Sequence, residues 1–187
     1  MPIVAVIDIG KTNKKVALVD ERFAVVASRQ AGFPARMEDG VLCEQVDAIW
    51  SWLKATLAEL YRERPFDAVV VSTHGACWAA LDAVGAPTVP VIAYEHDLGD
   101  GQADFDCDFY RLCGEERVLQ EETGSCDLPL LVNPAKAILF AQRRYAERWR
   151  ATTRIVNYPQ YWGFLLTGAY AAEATSSANH SFLFDLR

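Results

Sequence analysis

Alternating and periodic apolar positions predict short strands and amphipathic helices along this chain. The first apolar run, Ile3–Ile9, is rich in β-branched residues and is typical of a buried strand. A polar turn follows, residues 16–19 resume as a second strand, and residues 23–28 extend the pair into a meander. From Glu44 to Tyr61 the apolar residues are spaced three or four apart, which predicts a helix with one buried face.

The middle of the chain reads as further strands. Residues 66–73 form a continuous apolar run of strand length, which predicts a central strand covered on both faces. Residues 77–82 and 89–94 predict two more strands, because Gly and Pro turn residues separate them. Three antiparallel strands, a helix and then more strands indicate a mixed α/β domain with helices against a sheet.

The last third of the pattern predicts two helices. Asn133 followed by Pro134 is a helix start, and this helix is expected to run to about Arg150. Residues 154–156 predict a short strand, and residues 159–168 predict a compact helix that stops at a glycine. Residues 98–102 are loop-like and residues 104–108 are acidic, so solvated surface is the expectation for Asp104, Asp106 and Asp108.

Composition and charge narrow the class of protein. A length of 187 residues suits one domain, and the formal net charge of −7 disfavours nucleic acid or an acidic membrane surface as a partner. No apolar run approaches the roughly 18 residues that a membrane-spanning helix needs, and no charged leader precedes the first apolar run. We therefore expect a soluble, cytoplasmic protein.

The cysteines and tryptophans favour structural roles over a metal or sugar-stacking site. The five cysteines are an odd number without zinc-like spacing, which indicates free buried thiols in a reducing compartment. Trp50 and Trp78 fall on apolar phases of their elements, so core packing is the expectation for both. Packing is also the expectation for Trp162.

The turn after the first strand carries the most distinctive chemistry. Asp8 ends the strand, and Gly10 lets a bulky anion approach the backbone while its free φ suits a tight turn. Side-chain donors and cations surround this glycine, namely Lys11, Thr12, Asn13, Lys14 and Lys15. Successive backbone N–H groups in such a turn can bind an anion, and a carboxylate beside a phosphate commonly holds Mg²⁺. An ordinary hairpin with a polar turn remains the alternative.

Two more polar groups follow predicted strands. His74 and Gly75 come at the end of the apolar run 66–73, and Glu95, His96 and Asp97 come after the run 89–94. Polar groups that converge at strand ends suit recognition of hydroxyl groups. The alternatives are a histidine bonded to backbone at the first position, and a solvated loop or a fragment of a metal site at the second.

The ordered set of these motifs resembles the N-terminal domain of the FGGY carbohydrate kinases. The resemblance spans nearly all 187 residues and rests, in chain order, on the Asp8–Asp20 hairpin, His74-Gly75 with Leu81-Asp82, Thr123-Gly124, Asn133-Pro134-Ala135-Lys136, Leu166-Thr167-Gly168, and Glu173, Thr175 and Asn179 of a Glu-x-Thr-x-x-x-Asn signature. It implies an α/β, ribonuclease-H-like (actin-like ATPase) domain over residues 1–187. In that fold a mixed sheet carries helices packed against it and forms the N-terminal half of a two-domain kinase.

The resemblance also implies roles for the matching residues. Asp8 would help position Mg²⁺ and the reacting phosphate. The implied phosphate-binding residues are Gly10, Lys11, Thr12, Asn13 and Lys15, and the implied sugar-binding residues are His74, Gly75, Glu95, His96 and Asp97. Lys15 stands where many members carry Arg, so it lacks the bidentate guanidinium fork. Lys11 replaces a residue that is more often small.

The implied reaction is ATP-dependent phosphorylation of a sugar hydroxyl, with a ketose or deoxyketose as acceptor, as in rhamnulokinase, fuculokinase or xylulokinase. The general-base Asp of this family belongs to the second domain, and this chain ends at Arg187, about where the first domain finishes. We therefore expect a missing C-terminal, ATP-binding domain as partner and no kinase activity from this polypeptide alone. A homodimer is compatible with the resemblance.

Two other functions remain open. One is a non-catalytic module of the same fold that senses a sugar or a nucleotide. The other is an actin-like ATPase or phosphatase-like hydrolase, which would need no sugar. The His74–Gly75 and 94–97 features favour a sugar site over the second alternative.

Overall fold

The computed structural model of the protein describes residues 2–185 and divides them into two compact units. The first unit comprises residues 2–36 and Glu44–His74, and the second comprises Met37–Cys43 and residues 75–185. Among the described residues, no helix combines the length and the apolar character that crossing a bilayer requires. The expected end of the domain, at residues 186–187, lies outside the described residues.

The strands and helices of the described residues follow one another along the chain. In order they are β1 (Ile3–Ile9), β2 (Asn13–Asp20), β3 (Val25–Gly32), β4 (Arg36–Glu38), β5 (Val41–Cys43), α1 (Val46–Glu63), β6 (Ala68–Thr73), β7 (Trp78–Leu81), α2 (Gln102–Cys113), α3 (Glu116–Thr123), α4 (Pro134–Arg144), α5 (Ala146–Trp149), β8 (Arg154–Asn157), α6 (Tyr158–Thr167) and α7 (Ala174–Ala178). A 3-10 helix at Gly99–Gly101 leads into α2.

The first unit is a four-stranded sheet with α1 packed on it. The strand order is β3-β2-β1-β6, in which β1 pairs antiparallel with β2 and parallel with β6. A parallel pair needs a crossover connection, and α1 supplies the helix of that connection before β6 begins. As a result, the carboxyl ends of β1 and β6 lie side by side at one end of the strands, called here the carboxyl edge of the sheet.

Strand periodicity decides which face of this sheet is buried. In β1 the side chains of Ile3, Ala5, Ile7 and Ile9 are buried, while the alternate positions are partly or fully exposed. Helix α1 packs on β2 and β3 and buries Val46, Ile49, Leu53 and Leu60 at helical spacing. Each buried Ile or Leu contributes about 1.5–3 kcal/mol relative to an exposed one, so this face holds the unit together.

The second unit has its own apolar core. Strands β7 and β8 pair antiparallel, and Trp78 of β7 is buried with its ring 5.9 Å from that of Trp149. Helix α4 contributes Ala137, Ile138 and Ala141 to the same cluster. The predicted core position of Trp78 is therefore confirmed.

Three strand predictions need correction. Strand β6 forms the outer edge of the four-stranded sheet, and Val69 and Val70 are 40% and 48% exposed, so it is not a central strand covered on both faces. Residues 89–94 form no strand, because only Ile92 makes an isolated bridge, to Cys43. The third strand also begins later than predicted, since Phe23 lies in a turn with φ of 61°.

Two predictions in the helical region are also wrong. The acidic segment 102–113 is helix α2, which buries Phe105 and Phe109. The Asp106 carboxylate on this helix forms an ion pair with the ammonium of buried Lys136, at a distance of 2.8 Å. The helix that begins at Pro134 ends at Arg144, after which α5 forms a separate short turn.

The cysteines and Trp50 differ in part from expectation. None of the five cysteines, which all lie within the described residues, forms a disulfide, but only Cys43 and Cys77 are buried. Trp50 is half-buried on α1, where the Lys54 ammonium lies 5.5 Å from the centre of its ring.

Candidate functional site

A row of polar side chains crosses the first unit's sheet where β1 ends. Asp8 of β1 pairs with Lys15 of β2 and with Ser72 of β6, and Lys15 pairs in turn with Gln30 of β3. Directly paired residues project from the same face of a sheet. Gln30, Lys15, Asp8 and Ser72, hereafter the polar row, therefore share the face opposite the one that Ile7 and Ile9 bury. Sequence reasoning identified Asp8 and Lys15 but missed the other two.

Gly10 lies at a crowded point of the turn that follows. A Cβ built on Gly10 would lie 3.1 Å from the carbonyl oxygen of Asn13, which is closer than side chains normally approach. Its φ lies outside the left-handed region, so the expectation that free φ matters here is wrong. The absence of a side chain lets the two arms of the turn approach closely, and the turn residues Lys11, Thr12 and Asn13 are exposed.

Lys14 does not belong with the cations that face solvent. Its side chain is fully buried, and its ammonium donates hydrogen bonds to the carbonyl oxygens of Lys11 at 2.6 Å and Phe33 at 3.1 Å. The carboxylate of buried Glu44 lies 3.9 Å away. The expectation of three lysines around a bound anion is therefore wrong for Lys14, whereas Lys11 is exposed and Lys15 is half-buried.

The strand phase contained the signal for this burial. Lys14 is in phase with Val16 and Leu18, which are both completely buried, so its side chain projects toward the core. A lysine in an apolar phase predicts a buried ion pair, and the periodicity of β2 was sufficient to find it.

His74 lies at the carboxyl edge of the sheet, as the turn at residues 10–13 does. Ile9 pairs with Thr73 in the parallel β1–β6 ladder, so Gly10 and His74 are the next residues on neighbouring strands. His74 is partly buried, and the hydroxyl of Thr73 donates to its carbonyl oxygen at 3.4 Å. The first unit therefore brings Asp8, the 10–13 turn, Lys15 and His74 to one edge.

The other predicted sugar-site residues lie in the second unit. The thiol of Cys77 donates to the carbonyl oxygen of Ile92 at 3.3 Å, so the segment that begins at Gly75 contacts the segment that leads to Glu95. Space around Gly75 is open, since a Cβ there would meet no atom within 4 Å. Glu95 is partly buried.

His96 and Asp97 already have hydrogen-bond partners within the second unit. The Nδ1 atom of His96 accepts a hydrogen bond from the Leu42 amide at 3.4 Å, and its ring lies 5.2 Å from that of Phe140. Burial lowers the pKa of His96, an effect that the nearby Asp97 carboxylate partly opposes. Asp97 accepts from the Gly99 amide at 2.7 Å and remains exposed.

Trp162 packs as the sequence predicts. It is 1% exposed and lies against Tyr158 and Tyr161 of the same helix, with ring centres 5.5 and 5.6 Å away. Gly168 ends this helix in the left-handed conformation, with φ of 72°, as the Thr-Gly pair predicts.

Solved structures of sugar kinases match the fold over the length of the chain. A carbohydrate kinase from Novosphingobium aromaticivorans matches 99% of the chain with 27% identity and a TM-score of 0.83. Glycerol kinase from Plasmodium falciparum, solved with ADP, matches 100% of it with 18% identity and a TM-score of 0.82. A ligand-bound xylulose kinase from Lactobacillus acidophilus matches 100% with 18% identity and a TM-score of 0.80.

The chain resembles an FGGY-type carbohydrate kinase over the N-terminal domain. No protein-family model matches the sequence, and no curated protein matches it, so the likeness is carried by the structure. The chain spans 38% of the length of the Novosphingobium and Plasmodium kinases and 37% of the Lactobacillus enzyme. The predicted fold class, an actin-like ATPase domain with a mixed sheet and packed helices, is confirmed.

Proposed function

We propose that this chain forms the sugar- and phosphate-binding part of an ATP-dependent carbohydrate kinase whose acceptor is a ketose or deoxyketose. One observation carries the proposal, namely the match of 99% of the chain to a carbohydrate kinase at a TM-score of 0.83 and 27% identity. Xylulose kinases from Lactobacillus acidophilus and Rhodospirillum rubrum also match, and they favour a ketose as the acceptor.

The turn at residues 10–13, with Lys15, is the proposed phosphate site. Gly10 has no side chain, and a Cβ there would lie 3.1 Å from the Asn13 carbonyl oxygen, so the turn is compact and no side chain at position 10 covers its backbone. The exposed side chains of Lys11, Thr12 and Asn13 supply a charge and donors. Lys15 adds a second cation on the polar row.

Asp8 is the proposed ligand for Mg²⁺. Its carboxylate is exposed at the end of β1, beside Lys15 and Ser72 in the sheet register, and oxygen donors of this kind fit Mg²⁺. The ion would neutralise negative charge on the ATP phosphates.

The sugar-binding residues are proposed unit by unit. In the first unit, His74 offers an imidazole at the carboxyl end of β6. In the second unit, Glu95 and Asp97 offer carboxylates, His96 offers its Nε2 atom, and open Gly75 allows a hydroxyl to approach the backbone. A sugar hydroxyl that is buried without a partner costs about 1–3 kcal/mol, so such groups discriminate between sugars.

In the proposed reaction, the γ-phosphoryl group of ATP passes to a sugar hydroxyl. The chain's part is to orient the phosphates and the acceptor, because phosphoryl transfer depends mainly on positioning and charge stabilisation. The carboxylate that accepts the hydroxyl proton, and the adenine and ribose contacts, are proposed to belong to a second domain. The proposed compartment is the cytoplasm.

Calorimetric binding to the purified chain tests this function. We expect MgATP and at least one member of a panel of ketoses, deoxyketoses and polyols to bind, and Asp8→Asn to weaken MgATP binding by about tenfold, because a carboxylate–metal contact is lost. Asp104→Asn, which removes an exposed carboxylate of α2, is the matched control and leaves both affinities unchanged.

Three results would contradict the proposal. Asp8→Asn binding MgATP as tightly as the parent would remove the metal assignment. Hydrolysis of ATP at a rate independent of sugar would favour an ATPase. Binding of a sugar without phosphoryl transfer, after a second kinase domain is supplied, would favour the sensing module.

A further inference from the structure

Lys14 and Glu44 form a buried pair of opposite charges beneath the turn at residues 10–13. Their side chains are 0% and 1% exposed, and the ammonium nitrogen lies 3.9 Å from a carboxylate oxygen. Lysine and glutamate are almost never fully buried unless they are paired. A pair that is costly to desolvate, at the base of a short turn, calls for a reason beyond filling space.

The ammonium fixes the path of the turn through two carbonyl groups. It donates to the oxygen of Lys11, within the turn, at 2.6 Å and to the oxygen of Phe33, just after β3, at 3.1 Å. The amide of Phe33 also donates to the carbonyl oxygen of Thr12 at 2.9 Å. The carbonyl groups of residues 11 and 12 are therefore both held against the protein.

Peptide geometry then sets the direction of the amides that follow. In a planar trans peptide, the C=O of one residue and the N–H of the next point in opposite directions. Because the Lys11 carbonyl is held by the buried ammonium, the Thr12 N–H is directed away from it. Because the Thr12 carbonyl is held by Phe33, the same reasoning applies to the Asn13 N–H.

We propose that Lys14 is a positioning residue that holds the turn with its Thr12 and Asn13 amide groups presented to a polyphosphate, without touching the ligand itself. This inference rests on the proposed function, since it deepens the role of the same phosphate site. Lys14 cannot contact a bound anion while it is fully buried beside Glu44. It acts by preorganising donors, whereas exposed Lys11 and half-buried Lys15 act through their charge.

A titration with sodium tripolyphosphate, followed by NMR of the ¹⁵N-labelled chain, tests the inference. We expect the Gly10, Thr12 and Asn13 amide signals to shift in the parent, and Lys14→Met to bind about tenfold more weakly, because the donors are no longer preorganised. The free Lys14→Met chain is also expected to show displaced Thr12 and Asn13 signals.

Two control variants separate positioning from charge. Lys15→Met removes a cation of the polar row, so it reduces the dependence of tripolyphosphate affinity on salt, while Lys14→Met keeps the parent's salt dependence. Lys54→Met removes an exposed lysine of α1 and leaves the affinity unchanged. If Lys14→Met does not fold, the double variant Lys14→Met/Glu44→Leu removes both charges together, an exchange that buried ion pairs often tolerate.

The outcomes are distinguishable from failure of the proposed function. If the parent binds tripolyphosphate and a folded Lys14 variant binds it within about twofold, the positioning role is overturned and the phosphate site stands. If the parent itself does not bind, the phosphate site and this inference both fail. Loss of affinity together with loss of salt dependence in Lys14→Met also overturns the inference, because it would show direct charge contact.

Discussion

The pH dependence of stability tests whether His96, in the loop that carries predicted sugar-binding residues, is buried in its neutral form. Burial lowers its pKa, and burial likewise lowers the pKa of His180. A histidine with a lowered pKa is neutral in the folded chain and takes up a proton on unfolding. Its contribution to stability is therefore complete above the unfolded pKa of about 6.5 and is lost as the pH falls toward the lowered folded pKa.

We expect the free energy of unfolding to decrease below pH 6.5, by at most about 1.4 kcal/mol per pH unit for each histidine. His96→Asn keeps an acceptor for the Leu42 amide but cannot be protonated, so it reduces this slope. Denaturant unfolding from pH 7.5 to 5 measures the effect, with His180→Asn as the matched variant for the second histidine. An unchanged slope in His96→Asn would show that this ring is not buried in a neutral state.

For single residues, the sequence indicated which positions are distinctive but not which contacts they make. Gly10 was predicted to admit an anion, which stays a prediction, whereas its crowding against the Asn13 carbonyl oxygen depends on how the two arms of the turn close and was not predicted. Lys14 was grouped with Lys11 and Lys15 because the three lysines lie close together in the sequence. Strand alternation places Lys14 and Lys15 on opposite faces, and that information was present in the pattern of β2.

The start of helix α4 was predicted correctly, but the Asn133 side chain has a different role from the predicted helix cap. Asn133 precedes α4 as predicted, but its side chain makes no capping hydrogen bond. Its Oδ1 accepts from the Leu128 amide at 2.9 Å, and its Nδ2 donates to the carbonyl oxygens of Cys126 at 3.0 Å and His180 at 2.7 Å. The residue joins three segments of the second unit.

We expect Asn133→Ala to lower the free energy of unfolding by about 2–4 kcal/mol, because three backbone groups in partly buried hydrogen bonds lose their partner. Loss of a helix cap alone costs about 1 kcal/mol, and serine restores it. Asn133→Ser is therefore the discriminating control, since it can cap a helix but cannot reach all three partners. Urea denaturation of the three proteins measures this, and recovery of stability by serine would show that Asn133 is only a cap.

Elements with strong periodicity were predicted well, and those that depend on tertiary context were not. β1, β2, α1 and α6 follow apolar alternation or helical spacing and were found near their expected bounds. The apolar run 89–94 was mistaken for a strand, because an irregular segment buried against a core has the same composition. Helix α2 was missed because acidic residues obscure the spacing of its buried phenylalanines.

For the whole molecule, the order of motifs predicted the fold, whereas the geometry of the candidate site needed coordinates. Asp8, the turn and His74 come to one edge because β6 pairs parallel with β1, a register that sequence periodicity does not determine. The roles proposed for Glu95, His96 and Asp97 remain predictions. Their loop has no regular structure, and hydrogen bonds from the Leu42 and Gly99 amides already engage the His96 and Asp97 side chains.

The last prediction concerns what this polypeptide does by itself. The chain spans 38% of the Novosphingobium kinase, and the residues proposed here to position phosphates and sugar include no base for the hydroxyl proton. A positioned base contributes about 10²–10⁴ in rate, and loss of the geometry that holds two substrates together costs more. We therefore expect no phosphoryl transfer from MgATP to any ketose by the isolated chain, although the same preparation binds its ligands. A coupled ADP-release assay measures this, with the xylulose kinase from Lactobacillus acidophilus and xylulose as the positive control. Sugar-dependent turnover by the chain alone would mean that it contains a complete catalytic centre. The proposal that a second domain supplies the proton-accepting carboxylate would then be wrong.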